Sequence, residues 1–225
     1  MTRKPGTGAR RIRFGGMQTP HGYIFELTGG RLCLDLANTK DERPTEHPRE
    51  LLREYKDALD WASQAGALSR TDTRRLREHA ARHPVAAAKA LGRLIDAREV
   101  MFQIFSALAR ARPVPSAPLE ALNTLIAEAF TRGRLERGRG RFEWTWPATE
   151  TPDFDRPLCA AVWSVVELLT SDELNRIRQC EGAGCGWLFM DTSKNGARRW
   201  CDMSVCGNRA KARRHRARLR SERVA

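Results

Sequence analysis

The sequence predicts a mainly α-helical protein with small β-hairpins, in which a multihelical N-terminal domain precedes a small cysteine-bearing module and a basic helix. Three observations carry this expectation. Apolar residues recur at helical spacing through much of residues 51–168. Short runs interrupted by glycines have hairpin spacing. Four of the six cysteines lie in the last 46 residues, beside the most basic stretch of the chain. With 225 residues and 41% hydrophobic content, the chain can bury a core, which excludes wholesale disorder.

Residues 1–16 read as a flexible basic arm, with Arg3, Lys4, Arg10, Arg11 and Arg13 and no acid. Tyr23–Thr28 and Arg31–Ala37 flank Gly29-Gly30, the pattern of a β-hairpin turn. In the second run Leu32, Leu34 and Leu36 alternate with Cys33, Asp35 and Ala37, as in a half-buried strand. Helical periodicity follows. Leu51, Tyr55, Ala58, Leu59 and Ala62 share a face, with Pro48 suited to the first turn and Gly66 to the end. A second helix is expected over Thr71–Arg82. The longest spans Val85–Ala111, with Leu91, Ile95, Phe102, Phe105 and Ala109 on its apolar face. A shorter one covers Leu119–Phe130. Arg134–Arg137 and Arg141–Trp146, joined through Gly138–Gly140, read as a second hairpin. Leu158, Ala161, Val162, Val165 and Leu168 mark a last core helix, and the large domain, residues 17–172, ends near Ser171. Trp61, Trp144, Trp146 and Trp163 are assigned to the core.

Cys180, Cys185, Cys201 and Cys206 give C-x4-C, fifteen residues, then C-x4-C. Zinc takes four soft ligands in a tetrahedron, and two close cysteine pairs brought together by a turn provide them. Glycines at 182, 184 and 186 let the first pair wrap a metal. A [4Fe–4S] cluster also uses four thiolates, but no C-x2-C run is present. One structural Zn²⁺ per chain is therefore expected. Cys33 and Cys159 sit in apolar patterns and read as core residues. Trp187, Leu188, Phe189, Trp200 and Met203 are expected to pack around the metal, giving the module at 176–225 a core separate from that of the large domain.

The formal net charge is +13, from 40 Lys and Arg against 27 Asp and Glu. From Arg176 to the end there are 13 basic and four acidic side chains, so the surplus is concentrated at the C-terminus. Such a balance favours a polyanionic partner. No apolar run is long enough to span a bilayer, and no apolar stretch of signal-peptide type follows the basic N-terminus. A cytoplasmic, nucleoid-associated protein with no membrane role is expected, and in that compartment cysteines stay reduced.

From Asn208 to about Glu222 the chain is nearly all Arg, Lys and Ala, with Asn208 placed as a helix N-cap. Like charges at i,i+4 repel, and no apolar stripe compensates. Duplex DNA would turn that repulsion into attraction. Arg209, Arg213 and Arg216 fall on one face as candidates for base edges in the major groove, with Asn208 beside them. Arg198, Arg199, Lys211, Arg214 and Arg218 are the candidate phosphate contacts. A homodimer reading two half-sites is expected, with its interface in the large domain, because one short helix reads few base pairs.

At these residues the chain resembles the CGNR zinc-finger proteins. The matching stretch is Cys180…Cys185-Gly-Trp-Leu-Phe-Met-Asp-Thr-Ser-Lys-Asn, then Arg198-Arg-Trp-Cys-Asp-Met, then Cys206-Gly-Asn-Arg-Ala-Lys. Members carry an N-terminal helical domain called ABATE, whose opening signature is similar to Gly29-Gly-Arg-Leu-Cys-Leu-Asp-Leu-Ala-Asn-Thr39. The resemblance implies bacterial, stress-linked transcription regulators and a metal role for the four C-terminal cysteines.

A regulator's large domain can sense a ligand. Arg98 interrupts the apolar face of the long helix, and a buried charge must be paired. Asp35 is a candidate partner, and a structural salt bridge is the favoured reading; with Asn38 and Thr39 the group is also a candidate site for a small polar effector. None of H-E-x-x-H, G-x-x-x-x-G-K-[ST] or G-x-S-x-G occurs, so no enzyme is expected. The rivals are an RNA-binding zinc protein and a metabolite-binding protein with a non-specific basic tail. The basic helix lacks the aromatics that single-stranded RNA readers use, which favours duplex DNA.

Overall fold

The computed structural model describes residues 15–20, 22–138, 140–147 and 151–222. Residues 1–14 of the expected arm, and Arg139 in the expected turn, lie outside the described residues. The arm's last residue is corrected: Gly16 already pairs with Phe25. Strands β1 (Gly16–Thr19) and β2 (Gly22–Phe25) form the first antiparallel hairpin.

Arg31–Ala37 is not its second strand. Leu32–Ala37 form helix α1, in which Cys33, Leu34, Leu36 and Ala37 are all buried. Burial on more than one face erases the amphipathic stripe, so the alternation of leucines does not report a pleated surface. Gly30, at φ +77°, turns the chain before the helix. Lys40–Asp41 (β3) and Arg49–Glu50 (β4) then pair as a short clamp. The next helix consequently starts later than Pro48 implied. It is α2 (Tyr55–Gln64), closed at its start by a capping box between Glu54 and Asp57.

The helices α3 (Arg70–Arg82) and α4 (Pro84–Ala109) are joined through His83 alone. Ser69 caps α3 by accepting from the Asp72 amide at 3.0 Å. Pro84 opens α4, where its missing N–H leaves no intrahelical bond unmade. Helices α5 (Ser116–Arg132) and α6 (Arg156–Leu169) flank the hairpin of β5 (Arg134–Arg137) and β6 (Phe142–Thr145). The core gathers around α1, with Trp61 from α2, Met101 and Phe105 from α4, and Val162 and Val165 from α6 fully buried. Trp144 stacks on Trp163, centroids 5.3 Å apart and planes within 3°, fastening the hairpin to α6.

Beyond a 3-10 turn at Leu174–Arg176, strands β7 (Ile177–Gln179) and β8 (Leu188–Met190) pair antiparallel. Ile177, Leu188 and Met190 belong to the main core. Cys180, Cys185, Trp187, Phe189, Cys201 and Cys206 form a second, small cluster. Two cores are present, as expected, but they meet at β8, which is buried on both faces, and Leu188, expected beside the metal, belongs to the main core.

Helix α7 (Asn208–Glu222) follows a π-turn at Met203–Gly207. Its cap is also corrected. Asp202 caps this helical run by accepting from the Val205 amide at 2.9 Å. Asn208 has helical dihedrals and donates its side-chain amide to the Ser204 carbonyl at 3.0 Å. Among the described residues no helix is long and apolar enough to cross a membrane.

Candidate metal centre and nucleic-acid interface

The four C-terminal cysteines come together as buried side chains whose sulfurs all lie within 4.8 Å of one another. Cys185 Sγ is 3.6 Å from Cys201 Sγ, and Cys201 Sγ is 3.8 Å from Cys206 Sγ. Those distances exclude disulfides, whose sulfurs sit about 2.05 Å apart. A zinc tetrahedron with Zn–S bonds of about 2.3 Å has edges of about 3.8 Å. The cluster matches that figure, and its all-thiolate donor set is the kind structural zinc uses.

Local chemistry places each ligand. The Cys180 amide donates to Trp187 O at 2.7 Å and the Cys185 amide to Gly182 O at 2.9 Å, closing the first knuckle. The Gly182 amide points at Cys180 Sγ, 3.4 Å away. A Cβ at residue 182 would lie 2.9 Å from Cys206 Sγ, so only glycine lets the turn approach the sulfurs this closely. In the absence of metal, hydrogen bonds from Cys185, Cys201 and Cys206 favour Cys180 as the thiolate, while Cys185 and Cys201 are pushed up by bonding to Cys180. Zinc replaces those protons and makes all four sulfurs anionic.

A Zn(Cys)4 centre would carry a formal charge of −2, and Arg198 is held at the backbone of one of its ligands, Cys201. Its guanidinium donates to the carbonyls of Trp200, at 2.8 Å, and Cys201, and lies over the Phe189 ring at 4.6 Å. Asp191, 1% exposed, holds the loop between the cysteine pairs by accepting from the amides of Ser193 and Arg198, each at 2.9 Å. Arg198 thus departs from its expected role: a guanidinium turned inward onto carbonyls is a structural group rather than a phosphate contact. Arg199 remains at the surface, paired with Glu181 at 2.5 Å.

The module is bolted to the helical domain. Asn38 donates to Leu188 O and accepts from the Leu188 amide, both at 2.9 Å. Trp187 Nε1 donates to Asp41, 0% exposed, at 3.0 Å, and the Met190 amide donates to Gly29 O at 2.9 Å. Gln179 accepts from Ser106 and Arg110 of α4 and its C-terminus. The Gly29–Thr39 signature therefore supplies the seam on which β8 rests.

That seam revises the candidate effector group. Asp35 accepts from the Gly29 amide at 2.7 Å. Thr39 donates to Leu36 O, and Asn38 is occupied by Leu188. Arg98 makes a bidentate pair with Glu50 at 2.6 and 2.7 Å and a further bond to Glu99, and it reaches Thr39 at 3.3 Å. Asp35 is not its partner. Asn38, Thr39 and Arg98 are at most 3% exposed, leaving no opening for a ligand there. Sequence reasoning missed Glu50 because a carboxylate in a two-residue strand carries no periodic signal.

Helix α7 projects from the metal centre. Cys206 lies in the π-turn one residue from Gly207, so the ligand and the helix start are nearly continuous. Every described residue from Lys211 to Glu222 is exposed. Arg209, Arg213, Arg216 and also Arg220 share one face, with Lys211, Arg214 and Arg218 on the opposite one. Arg209 is half-buried at the root, and Arg218 pairs with Glu222 at 2.7 Å.

These features define a zinc-finger protein with a multihelical companion domain. Residues 30–172 match the ABATE family, described as "Putative stress-induced transcription regulator", and residues 176–219 match the CGNR zinc finger. The chain belongs to the ABATE family, and in its CGNR zinc finger the four cysteines hold one structural zinc ion. A search of curated proteins gives no match.

Proposed function

We propose that the chain is a zinc-dependent transcription regulator that binds duplex DNA through α7, as a homodimer whose interface lies in the helical domain. The observation that carries this reading is α7: an exposed helix with seven basic side chains and one acid, rooted in the zinc centre. Its fifteen residues extend about 22 Å, the scale of a recognition helix in a major groove. Arg209, Arg213, Arg216 and Arg220 form the face turned to base edges. Lys211, Arg214 and Arg218 reach back to phosphates at the rim, and Arg199 extends the basic track at the finger. The helical domain senses a small ligand, and its contacts with β7 and β8 carry the signal to the finger.

The test is the salt dependence of binding. Four phosphate contacts per chain, doubled in a dimer, limit the slope of log K against log salt to about −7. The expected range is about −4 to −7, with a dimer at the same concentrations by sedimentation. A slope shallower than about −2, or tighter binding to structured RNA at matched salt, overturns the reading.

A further inference from the structure

A cleft of about 700 Å³ lies between the C-terminal half of α4 and the first cysteine knuckle. It is within the usual size range of small-molecule sites. Phe102, Ala109 and Pro44 give it an apolar wall, and the backbone from Gly182 to Gly186 borders the other side. Arg43, on the apolar side, is already paired with Glu99 at 2.7 Å and lies over the Phe102 ring at 3.9 Å. Arg110 and Arg178 differ from it. Arg110 donates to the neutral Gln179 side chain at 2.8 Å. Arg178 donates to the carbonyls of Asn175, Ile177 and Gly196. Arg110 makes no ion pair among the described residues, whereas Arg178 is committed to those carbonyls and acts on the Asp191 carboxylate, and Glu181, the acid in the lining, is taken by Arg199.

We infer that this cleft binds a small organic anion, a carboxylate or phosphate carried on an apolar body such as an aromatic ring. Arg110, exposed and without a carboxylate partner among the described residues, supplies the anion contact, and the Phe102 side receives the apolar part. A bare DNA phosphate would leave that wall unused. The inference deepens the proposed function, and rests on its ligand-sensing part, by placing the effector here rather than at Asp35, Asn38, Thr39 and Arg98.

Gln179 gives the site a route to the metal module. Its Oε1 accepts from Arg110 and Ser106, while its Nε2 donates to the Gly186 carbonyl at 2.9 Å, between Cys185 and Trp187. An anion that accepts from Arg110 displaces Gln179 from that guanidinium. The amide then reorients, and with it the bond that holds the knuckle against α4. Ligand binding and finger position are thereby linked.

The experiment uses the zinc-loaded full chain with benzoate and phenyl phosphate as anionic probes and benzyl alcohol and benzylamine as controls. Binding is followed by calorimetry without DNA, so α7 plays no part in the readout. At least one anion should bind saturably at or below roughly 10 mM, and neither control should. Arg110→Gln, which alters an exposed side chain at the end of α4, should weaken binding about tenfold. Lys211→Ala should leave it unchanged. If neither anion binds, or Arg110→Gln binds as the wild type does, the assignment is overturned. If Arg110→Gln instead loses DNA affinity while neither anion binds, the cleft is part of the DNA track and the assignment also fails. DNA affinity of the α7 variants, measured without anion, tests the DNA reading separately. With anion bound, the DNA Kd should shift severalfold; an unchanged Kd removes the link through Gln179.

Discussion

Arg98 and Asp35 show what a single residue's chemistry reveals in sequence. A lone arginine on an apolar helix face requires a partner, and that inference holds: the side chain is 1% exposed and fully paired. The partner's identity was not legible, because Glu50 and Arg98 meet only through the β3–β4 clamp. A double-mutant cycle between Arg98→Met and Glu50→Gln should give a coupling of about 2 kcal/mol by denaturant unfolding. The same cycle with Asp35→Asn should give a coupling within about 0.5 kcal/mol of zero. The reverse result would mean that Asp35 is the true counter-ion. Asp35 has a separate signature. Burial raises its carboxyl from 3.8 to about 6, against the Gly29 amide, which lowers it. A raised folded pKa means that the native state holds this proton longer than the unfolded chain does. The residue's contribution is therefore most favourable below the unfolded value and is lost as pH rises toward about 6. Asn keeps an acceptor for Gly29 but cannot ionise. The stability advantage of Asp35→Asn over wild type should widen by about 1 kcal/mol between about pH 5 and pH 7.5. A constant difference across that range would contradict a buried carboxyl.

At the scale of elements, the long periodic helices were readable and the short segments were not. Residues 84–109 form a spine whose apolar positions repeat over many turns, so the expected span of Val85–Ala111 lies within two residues of it. Leu32–Ala37 is a six-residue helix buried on more than one side, and its alternating leucines mimic a strand. The start of α7 is hidden because an Asn before an Arg/Ala run looks like a cap, whereas the helical run begins earlier, in a π-turn that includes a metal ligand. That geometry makes α7 an extension of the zinc centre, and its two faces should behave differently. Lys211→Ala or Arg214→Ala should weaken binding to any duplex alike, and each should flatten the salt slope by about one unit, since each frees one phosphate. Arg213→Ala or Arg216→Ala should cost about 1–3 kcal/mol on a preferred site and much less on random DNA. Equal effects of all four on both kinds of DNA, measured by competition at fixed salt, would make α7 a non-specific anchor.

At the scale of the whole molecule, the domain boundary near residue 172 is a boundary in sequence but not in packing. The signal was present in Trp187-Leu-Phe-Met190: four apolar residues in succession, in a module too small to bury them all itself, require cover on both faces. Trp187 and Phe189 face the cysteines, while Leu188 and Met190 face the helical core. Asn38, Asp41 and Gly29 then satisfy this segment's polar groups from the helical side. Metal binding and helical stability are consequently linked. Cys206→Ser should lose the zinc, release β8 from its outer support and loosen the inner face with it. If that loosening costs about 2 kcal/mol, a domain of this size should melt roughly 4–8 °C lower when followed by helical circular dichroism. Asn38→Ala, which cuts the seam but leaves every zinc ligand in place, should bind zinc yet transmit less of its stabilisation. In that variant, adding metal to the metal-free protein should raise the helical melting point by a smaller increment than in wild type. Helices that melt at the same temperature with and without zinc in the wild-type chain would show that the two cores are independent, and would leave the bonds between Asn38 and Leu188 without an energetic role.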